Sequence, residues 1–326
     1  MKLQELSLIL EAKLEGDPNF NCQKVASVAY PNKDSISVIK TNNKISDEVI
    51  VNSGAILTTY DIANSINSKI NLLLVNDVET AFIKLLNIFK YQPSIPQSTQ
   101  IYNNLSNDHS SIFMGKSVSI GKNFSYGANV VIEDNVIIGN DVFIGNNVVI
   151  CHGTIIGNNV IIDHGCIVGS EGFGNVRNEK KIWRHLPHLG NVIIKDSCSL
   201  GANCCIDRGT IDDTLINRHV VIDNLVHIAH NVVIGEKTAI AAKVGIAGSC
   251  IIGKRNMIGG MVGIIDHVKT SDDVTISATS TVTKNLKEPG VYTGIMPISS
   301  HSLWKRIALW ITKLDKIAKL IDIKKI

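Results

Sequence analysis

Three positions in the second half of the chain have the residue types that a proton-transfer site needs. His230 is followed 18 residues later by Gly248, and His267 lies 19 residues beyond Gly248. An imidazole can accept a proton near neutral pH. A glycine leaves its backbone N–H accessible, and such a donor can stabilise an oxyanion. The competing interpretation is that these are unconnected surface residues, so the fold must decide whether they meet.

The elements that position these residues follow from a six-residue repeat. A branched apolar residue recurs at every sixth position, the next residue is often glycine, and a smaller apolar residue lies four positions after each one. About 25 hexads are present, with four extra residues within Gly209–Leu215. The first uninterrupted series is Met114, Ile120, Tyr126, Ile132, Ile138, Ile144, Ile150, Ile156, Ile162 and Val168.

A period of six fits neither an α-helix nor a hairpin, but it fits short parallel strands joined by tight corners. Three hexads close one triangular coil, so about eight coils are predicted to stack at ~4.8 Å each. The branched residue points inward, and Gly or Asn is expected at corners that need a positive φ.

The repeat also predicts where the three candidate residues lie. His230 comes two positions after the inward Ile228 and therefore faces outward. Gly248 occupies the same column one coil further on, and His267 lies about two coils, or ~10 Å, beyond His230. We expect all three to line one external groove, where an imidazole beside a free N–H could support acyl transfer.

The composition agrees with a large β-rich protein and excludes other classes. Of 326 residues, 44% are hydrophobic but only 5% are aromatic, because Ile, Val and Leu supply the apolar content. This apolar fraction and a net charge of only +3 exclude a disordered chain. No uncharged apolar run reaches 18 residues, so no membrane span is expected.

The cysteines and the N-terminus predict a cytoplasmic protein. The seven cysteines form no C-x-x-C pair and are odd in number, which favours reduced thiols. Four of them fall on the small inward position of the hexad, where packing is the expected role. Residues 1–14 are typical of an amphipathic helix rather than of a secretion signal. The four inward cysteines are Cys166, Cys198, Cys204 and Cys250.

Residues 1–97 lack the hexad and predict a small α/β domain. Helices are expected over Leu3–Leu14 and Val78–Lys90, with apolar strands between them, and Pro93–Pro96 is a predicted linker. The β-helix is then expected over 98–297.

Two further segments stand out by their polarity and charge. A polar excursion over 170–190 interrupts the repeat, and loops of this length in a compact fold are usually functional. Residues 298–326 predict an amphipathic α-helical segment. Residues 301–326 hold seven Lys or Arg and two Asp, a net charge of +5, so the other 300 residues sum to −2. The positive charge is therefore local and indicates no nucleic-acid partner. The helix is expected to pack on its own or a neighbouring subunit, or to receive an acidic partner.

A zinc site is a competing interpretation of the histidines, and it requires three that converge. His152 and His164 share the phase of His230 but belong to other coils, whereas His219 and His227 have different phases. No metal site is therefore predicted.

Several stretches resemble known proteins. The hexad itself resembles the hexapeptide-repeat proteins, whose fold is a left-handed parallel β-helix. The general rule for parallel crossovers predicts the opposite hand, so the left hand rests on the resemblance. Four longer motifs resemble the UDP-3-O-(3-hydroxyacyl)glucosamine N-acyltransferases of lipid A biosynthesis. They are residues 169–174 (GSEGFG), 206–214 (IDRGTIDDT), 222–231 (IDNLVHIAHN) and 288–292 (EPGVY).

That resemblance implies a homotrimer with active sites between neighbouring β-helices. A 3-hydroxyacyl chain passes from the 4'-phosphopantetheine of acyl carrier protein to the 2-amino group of UDP-3-O-acylglucosamine, and the protein itself holds no cofactor. Acyl carrier protein is acidic, which gives the basic C-terminal helix a partner. The motifs imply that His230 is the general base, Gly248 the oxyanion donor, and His267, Asp223 and Asn231 substrate contacts.

The N-terminal domain departs from the family pattern. The family holds the uridine nucleotide there and usually carries an aromatic pair around an Asn-x-Lys-Tyr segment that cradles uracil. The matching positions in this chain include Val38, Asn42 and Ile45, so both aromatics are missing. We therefore expect nucleotide affinity to be weaker or differently built.

Two other functions remain as alternatives. The related O-acyltransferases that act on UDP-N-acetylglucosamine share the β-helix, but they usually lack an N-terminal α/β domain such as residues 1–92. A non-catalytic β-solenoid scaffold would be expected to show a flat, regular array without the 170–190 loop or the His230 column.

Overall fold

The computed structural model describes residues 1–41, 47–66, 70–90, 112–178, 180–314 and 316–317. After residue 112 the chain winds as a left-handed parallel β-helix, which confirms the fold class predicted from the hexad. Residues 18 apart lie side by side, as Ile138 pairs with Ile120 on one coil and with Ile156 on the next.

The strands of the β-helix stack into three parallel faces, nine, seven and nine strands deep within the described residues. Two faces are therefore one level deeper than the predicted eight coils. Face 1 comprises Ile112–Met114, Val130–Ile132, Val149–Ile150, Ile167–Ser170, Cys205–Asp207, His227–Ile228, Gly245–Ile246, Gly263–Ile264 and Thr281–Val282. Face 2 comprises Ser119–Ile120, Ile137–Ile138, Ile155–Ile156, Val192–Ile194, Thr214–Ile216, Val233–Ile234 and Ile251–Ile252. Face 3 comprises Ser125–Tyr126, Phe143–Ile144, Ile161–Ile162, Ser199–Leu200, Val221–Ile222, Ala239–Ile240, Met257–Ile258, Val274–Ile276 and Gly290–Tyr292.

The interior of the coils is a single apolar column. From Val130 onward the branched residue of each hexad and the smaller residue four positions later are almost fully buried. On the first coils the inward residues are only partly buried, as at Met114 and Ile120. The four cysteines predicted to fill the small inward slot are at most 1% exposed, and their thiols donate to backbone carbonyls, as Cys166 does to Gly201 at 3.0 Å. Packing is therefore their structural role.

The corners of the coil correct one part of the sequence interpretation. The residue with positive φ lies three positions after the inward residue and is most often Asn, as at Asn123 and Asn147, where φ is 56°. The glycine directly after the inward residue has a different cause. A Cβ at Gly139 would lie 2.6 Å from the carbonyl oxygen of Gly157 on the next coil, so glycine is required there by close stacking of the coils.

Two insertions break the 18-residue register in neighbouring coils. Val168 pairs with Ile206, because the 170–190 excursion adds a 20-residue loop to one coil. Ile194 pairs with Ile216 because of the four extra residues identified in Gly209–Leu215. The long excursion forms an antiparallel hairpin of Asn175–Arg177 and Trp183–His185.

The N-terminal residues form the predicted small α/β domain. Its five-stranded sheet has the order β1-β5-β4-β3-β2, and only β1 is antiparallel to its neighbour. Helix α1 is shorter than predicted, because the chain turns at Glu11, where φ is 54°, and continues as strand β1. The elements are α1 (Leu3–Leu10), β1 (Lys13–Glu15), β2 (Lys24–Ala26), β3 (Ser35–Val38), α2 (Asp47–Asn52), β4 (Ala55–Thr59), α3 (Tyr60–Ala63), β5 (Asn71–Val75) and α4 (Val78–Phe89).

Residues 294–326 form a unit separate from residues 1–293. Its helix α5 spans His301–Ile311 and has no buried residue, with Trp304 and Trp310 half exposed or more. The predicted linker Pro93–Pro96 lies outside the described residues. None of the helices in the described ranges is long and apolar enough to cross a membrane.

Adjacent isoleucines on one strand of face 3 provide a matched test of this architecture. Ile162 is 0% exposed, whereas Ile161 is 49% exposed. We expect Ile162→Ala to lower the free energy of unfolding by about 2–5 kcal/mol, because it leaves a cavity in the column, and Ile161→Ala to cost clearly less. Urea denaturation of both variants measures this difference. Equal losses would contradict the assignment of inward and outward positions.

Candidate functional site

A groove of about 650 Å³ runs along face 1 and contains the three candidate residues. His230, Gly248 and His267 lie on successive levels, and the backbone N–H of His267 donates to the Gly248 carbonyl at 3.0 Å. The groove is also lined by Phe173, Asp207, His227, Ala229, Gly245, Ile246, Ala247, Gly263, Ile264, Ile265, Asp266 and Thr281.

Two glycines enclose the imidazole of His230. A Cβ at Gly248 would lie 2.6 Å from Cε1 and Nε2 of the ring, so the Gly248 backbone lies directly against its Nε2 edge. A Cβ at Gly172, in the 170–190 loop, would lie 3.2 Å from Cβ and Cδ2 of His230. A side chain at Gly248 would displace the ring, whereas one at Gly172 would crowd it and require a shift of a few tenths of an ångström.

Asn231 determines which nitrogen of His230 carries the proton. The Asn231 side-chain N–H donates to the Asp212 carbonyl at 2.7 Å, and its Oδ1 accepts the Thr210 N–H at 3.0 Å. This network fixes the amide orientation, so the group 3.0 Å from His230 Nδ1 is an acceptor oxygen. Nδ1 must therefore donate, which leaves Nε2 as the basic nitrogen facing Gly248. The geometry favours a positioning role for Asn231 over the predicted substrate contact.

The backbone N–H of Gly248 is available as a donor. In several other coils, the N–H of the residue two positions after the inward residue donates to a side-chain oxygen of the next coil. The Lys122 N–H donates in this way to Asn140 Oδ1 at 2.8 Å. Within the described residues the Gly248 N–H makes no hydrogen bond. A basic nitrogen and an uncapped donor therefore adjoin one another in the groove.

A carboxyl group lies beside His230 that the sequence analysis did not identify. Asp207 is 6% exposed, accepts a hydrogen bond from the Ser170 hydroxyl at 3.0 Å, and lies 3.6 Å from Nε2 of His227. Burial raises the pKa of the Asp207 carboxyl, and nearby His227 only partly opposes this effect. His227 could have been found from the sequence, because it directly precedes the inward Ile228 and therefore faces outward. It lies in one column with Gly245 and Gly263 of the groove.

The column of His227 opens into a smooth trough. The next two residues in this column, Gly245 and Gly263, face open space, with no atom within 4 Å of an added Cβ. Because glycine has no side chain, these two consecutive levels leave an open channel on face 1 that runs along the β-helix axis. An extended, flexible ligand arm fits such a channel.

The base of the 170–190 loop is fixed by a buried arginine. Arg208 is 1% exposed and donates to the Gly169 carbonyl, to the His152 carbonyl and to Nε2 of His152, each at 2.6 Å. Burial lowers the pKa of the Arg208 guanidinium, while Cys151 and Glu133 oppose the shift. Since the Gly169 carbonyl lies at the start of the loop, Arg208 helps to place Gly172 against His230.

Ion pairs hold the same loop against the N-terminal domain. Glu171 lies 2.5 Å from Lys90 Nζ, directly after helix α4, and also pairs with His185. Although burial raises the pKa of Glu171, hydrogen bonds from Lys90 and His185 outweigh burial and keep the carboxyl below its usual range.

The remaining predicted site residues lie elsewhere in the single chain. Asp223 lines a second groove, of about 580 Å³, on face 3, with Val221, Met257 and Ala278. Val38 ends strand β3 and packs against the core of the N-terminal domain. Asn42 and Ile45 lie outside the described residues. Among the described residues no group of three or more His, Cys, Asp or Glu could hold a metal ion.

Comparisons with known proteins give this site a family. The model of the Bacterial transferase hexapeptide (six repeats) family matches residues 117–152 and 135–170. A UDP-3-O-acylglucosamine N-acyltransferase of Coxiella burnetii is 34% identical over an alignment of 326 positions. The alignment covers 97% of this chain and 95% of that protein. The chain belongs to the UDP-3-O-acylglucosamine N-acyltransferase family. The Bordetella avium member is 40% identical over 155 residues, 47% of this chain and 43% of that protein.

Solved structures agree with the fold of this family. LpxA from Acinetobacter baumannii matches 57% of this chain and 70% of its own, with 25% identity and a TM-score of 0.50. A UDP-N-acetylglucosamine acyltransferase from Francisella novicida matches 60% and 71%, with 21% identity and a TM-score of 0.51. The chain is therefore an acyltransferase, which confirms the resemblance found in its motifs and excludes the non-catalytic scaffold.

The role of Arg208 can be tested through stability. We expect Arg208→Met to lower the free energy of unfolding by about 2–5 kcal/mol, because one buried and two partly buried acceptors lose their donor. The control is Arg218→Met, whose side chain is 60% exposed and pairs with Asp196 at 3.3 Å. It should cost less than about 1 kcal/mol. Similar losses in thermal melts of the two variants would refute a special role for Arg208.

Proposed function

We propose that this protein transfers a 3-hydroxyacyl chain from acyl carrier protein to the 2-amino group of UDP-3-O-(3-hydroxyacyl)glucosamine, in lipid A biosynthesis in the cytoplasm. The observation that carries the proposal is the basic Nε2 of His230 directly beside the uncapped N–H of Gly248. Family membership at 34% identity over nearly the whole chain supports the choice of an amino-sugar acceptor over the hydroxyl acceptor of the related O-acyltransferases.

The two groups divide the chemistry of aminolysis between them. The amine attacks the thioester carbonyl, and Nε2 of His230 takes the proton that the nitrogen must lose. The Gly248 N–H donates to the oxyanion that forms. Collapse of the tetrahedral adduct breaks the C–S bond, and the imidazolium returns its proton to the leaving thiolate. A positioned general base contributes about 10²–10⁴-fold to such a step, and one oxyanion donor about 10²–10³-fold.

The surroundings of His230 suit the two substrates. The trough beside Gly245 and Gly263 leaves open space for an extended arm such as phosphopantetheine or an acyl chain. The protein needs no cofactor of its own, because the phosphopantetheine arrives on the carrier. His267 and Asp207 face the same groove and can contact the amino sugar. The uridine is assigned to the N-terminal domain, although the Val38 segment lacks the aromatic pair of the family.

The acidic carrier is assigned to helix α5. Lys305 and Arg306 are exposed on its first turns, and Lys313 follows directly after it. A cluster of basic side chains attracts an acidic protein and speeds the encounter, with a strong dependence on salt.

We also assign a homotrimer to the active enzyme. The exposed apolar residues Val221 and Met257 on face 3 suit contact with a second copy. Such a contact can add the groove that contains Asp223 to the groove of the neighbouring subunit. Light scattering should give a mass three times the 35.4 kDa of one chain.

The central test is turnover of UDP-3-O-acylglucosamine with 3-hydroxyacyl carrier protein. We expect His230→Ala to reduce kcat at least ~100-fold, because the base is lost. The matched control is His219→Asn, an exposed turn histidine with φ 59°, where asparagine is tolerated and full activity is expected. Unchanged turnover of His230→Ala would remove His230 from the mechanism. Turnover of UDP-N-acetylglucosamine instead would favour the O-acyltransferase.

Charge reversal on α5 tests the carrier surface. We expect Lys305→Glu with Arg306→Glu to raise the KM for the acyl carrier protein thioester about tenfold at low salt, with the KM for the UDP-sugar unchanged. Steady-state kinetics at two ionic strengths measures both constants. An unchanged KM for the carrier would exclude α5 as its docking surface.

A further inference from the structure

A second histidine, supplied by the 170–190 loop, contacts the imidazole of His230. The His188 ring is 2% exposed and stands edge-to-face against the His230 ring, with centroids 5.3 Å apart and planes at 71°. His185, at the end of the hairpin, also stacks on His188, at a centroid distance of 6.4 Å, and is held by its ion pair with Glu171. His188 therefore contacts both the predicted base and the anchored hairpin.

One nitrogen of the His188 ring is held by a hydrogen bond, and the other has no partner within the described residues. Its Nδ1 lies 3.0 Å from the Leu186 carbonyl, which can only accept, so Nδ1 carries the proton. Its Nε2 is buried and has no hydrogen-bond partner among the described residues. Replacing the imidazole by an apolar ring would therefore break no hydrogen bond of Nε2 within the described residues.

The charge state of His188 is also fixed by its surroundings. Burial and, to a lesser degree, the positive charge that His230 can acquire lower the pKa of the His188 imidazole to about 4. Glu171 and the Leu186 carbonyl act in the opposite direction without overcoming burial. His188 is thus neutral near pH 7 and cannot compete with His230 for the proton of the amine.

We infer that His188 is a positioning residue that holds the His230 ring in the plane where Nε2 faces the Gly248 N–H. The inference rests on the function proposed above. Asn231 holds only Nδ1, and a ring tied by one hydrogen bond can still swing about its last side-chain torsion. Gly172 and Gly248 limit the swing on two sides, and the His188 ring closes a third.

Three substitutions separate the ring from its hydrogen bond. His188→Phe keeps an aromatic wall and removes the unpaired nitrogen, His188→Asn keeps a donor for the Leu186 carbonyl but removes the wall, and His188→Ala removes both. We expect kcat to fall about 10- to 100-fold in the Ala and Asn variants at nearly unchanged KM, since small misplacement of a reacting group has costs of this size. The Phe variant should stay within about threefold of the wild type.

Crystal structures of the same variants give a readout that does not depend on turnover. The expected result is a His230 ring rotated away from Gly248 in the Ala and Asn variants and retained in the Phe variant. A His230 ring unmoved in all three, or equal kcat losses in the Phe and Ala variants, would overturn the inference. Failure of the proposed function is distinguishable, because the wild type would then be inactive while the ring orientations could still be compared. If the Ala variant does not fold, the Phe and Asn pair carries the test.

Discussion

The hydrogen-bond ladder between coils is the constraint on which the rest of this structure depends. Each coil must return after 18 residues, because its backbone N–H and C=O groups have to meet those of the coils on either side. The ladder turns sequence spacing into columns. Inward columns become the core, and outward columns become surfaces whose chemistry is set at intervals of 18. His230 and Gly248 adjoin one another for this reason alone.

The two irregularities of the repeat are the segments that orient and enclose the His230 ring. The four extra residues after Gly209 supply the Thr210 N–H and the Asp212 carbonyl that orient Asn231, and Asn231 in turn selects the tautomer. The 20-residue excursion supplies Gly172 and His188. A regular coil would place an imidazole on the surface, whereas the insertions restrict its rotation. The regular coils provide the scaffold, and the departures from regularity provide the site.

Features that arise from the regular repeat could be predicted from the sequence, whereas features that arise from the two insertions could not. The fold, the inward cysteines and the meeting of His230 with Gly248 all follow from periodicity, which a sequence displays directly. Asp207 and His188 were missed because they depend on how an aperiodic loop folds back, and no spacing rule describes that. The glycines that often follow an inward residue were attributed to backbone conformation, but at Gly139 the cause is the approach of the next coil, which sequence alone does not show. Helix α1 was extended too far because apolar spacing does not reveal the turn at Glu11.

In the proposed mechanism the thioester carbonyl binds at the Gly248 N–H with the acceptor amine beside Nε2 of His230. A crystal structure of the His230→Ala variant with UDP-3-O-acylglucosamine and an acyl-phosphopantetheine bound tests this arrangement. We expect a carbonyl oxygen about 3 Å from the Gly248 nitrogen, with the 2-amino group beside the space vacated by the imidazole. Both substrates bound away from face 1, or a carbonyl oxygen held by other donors, would contradict it.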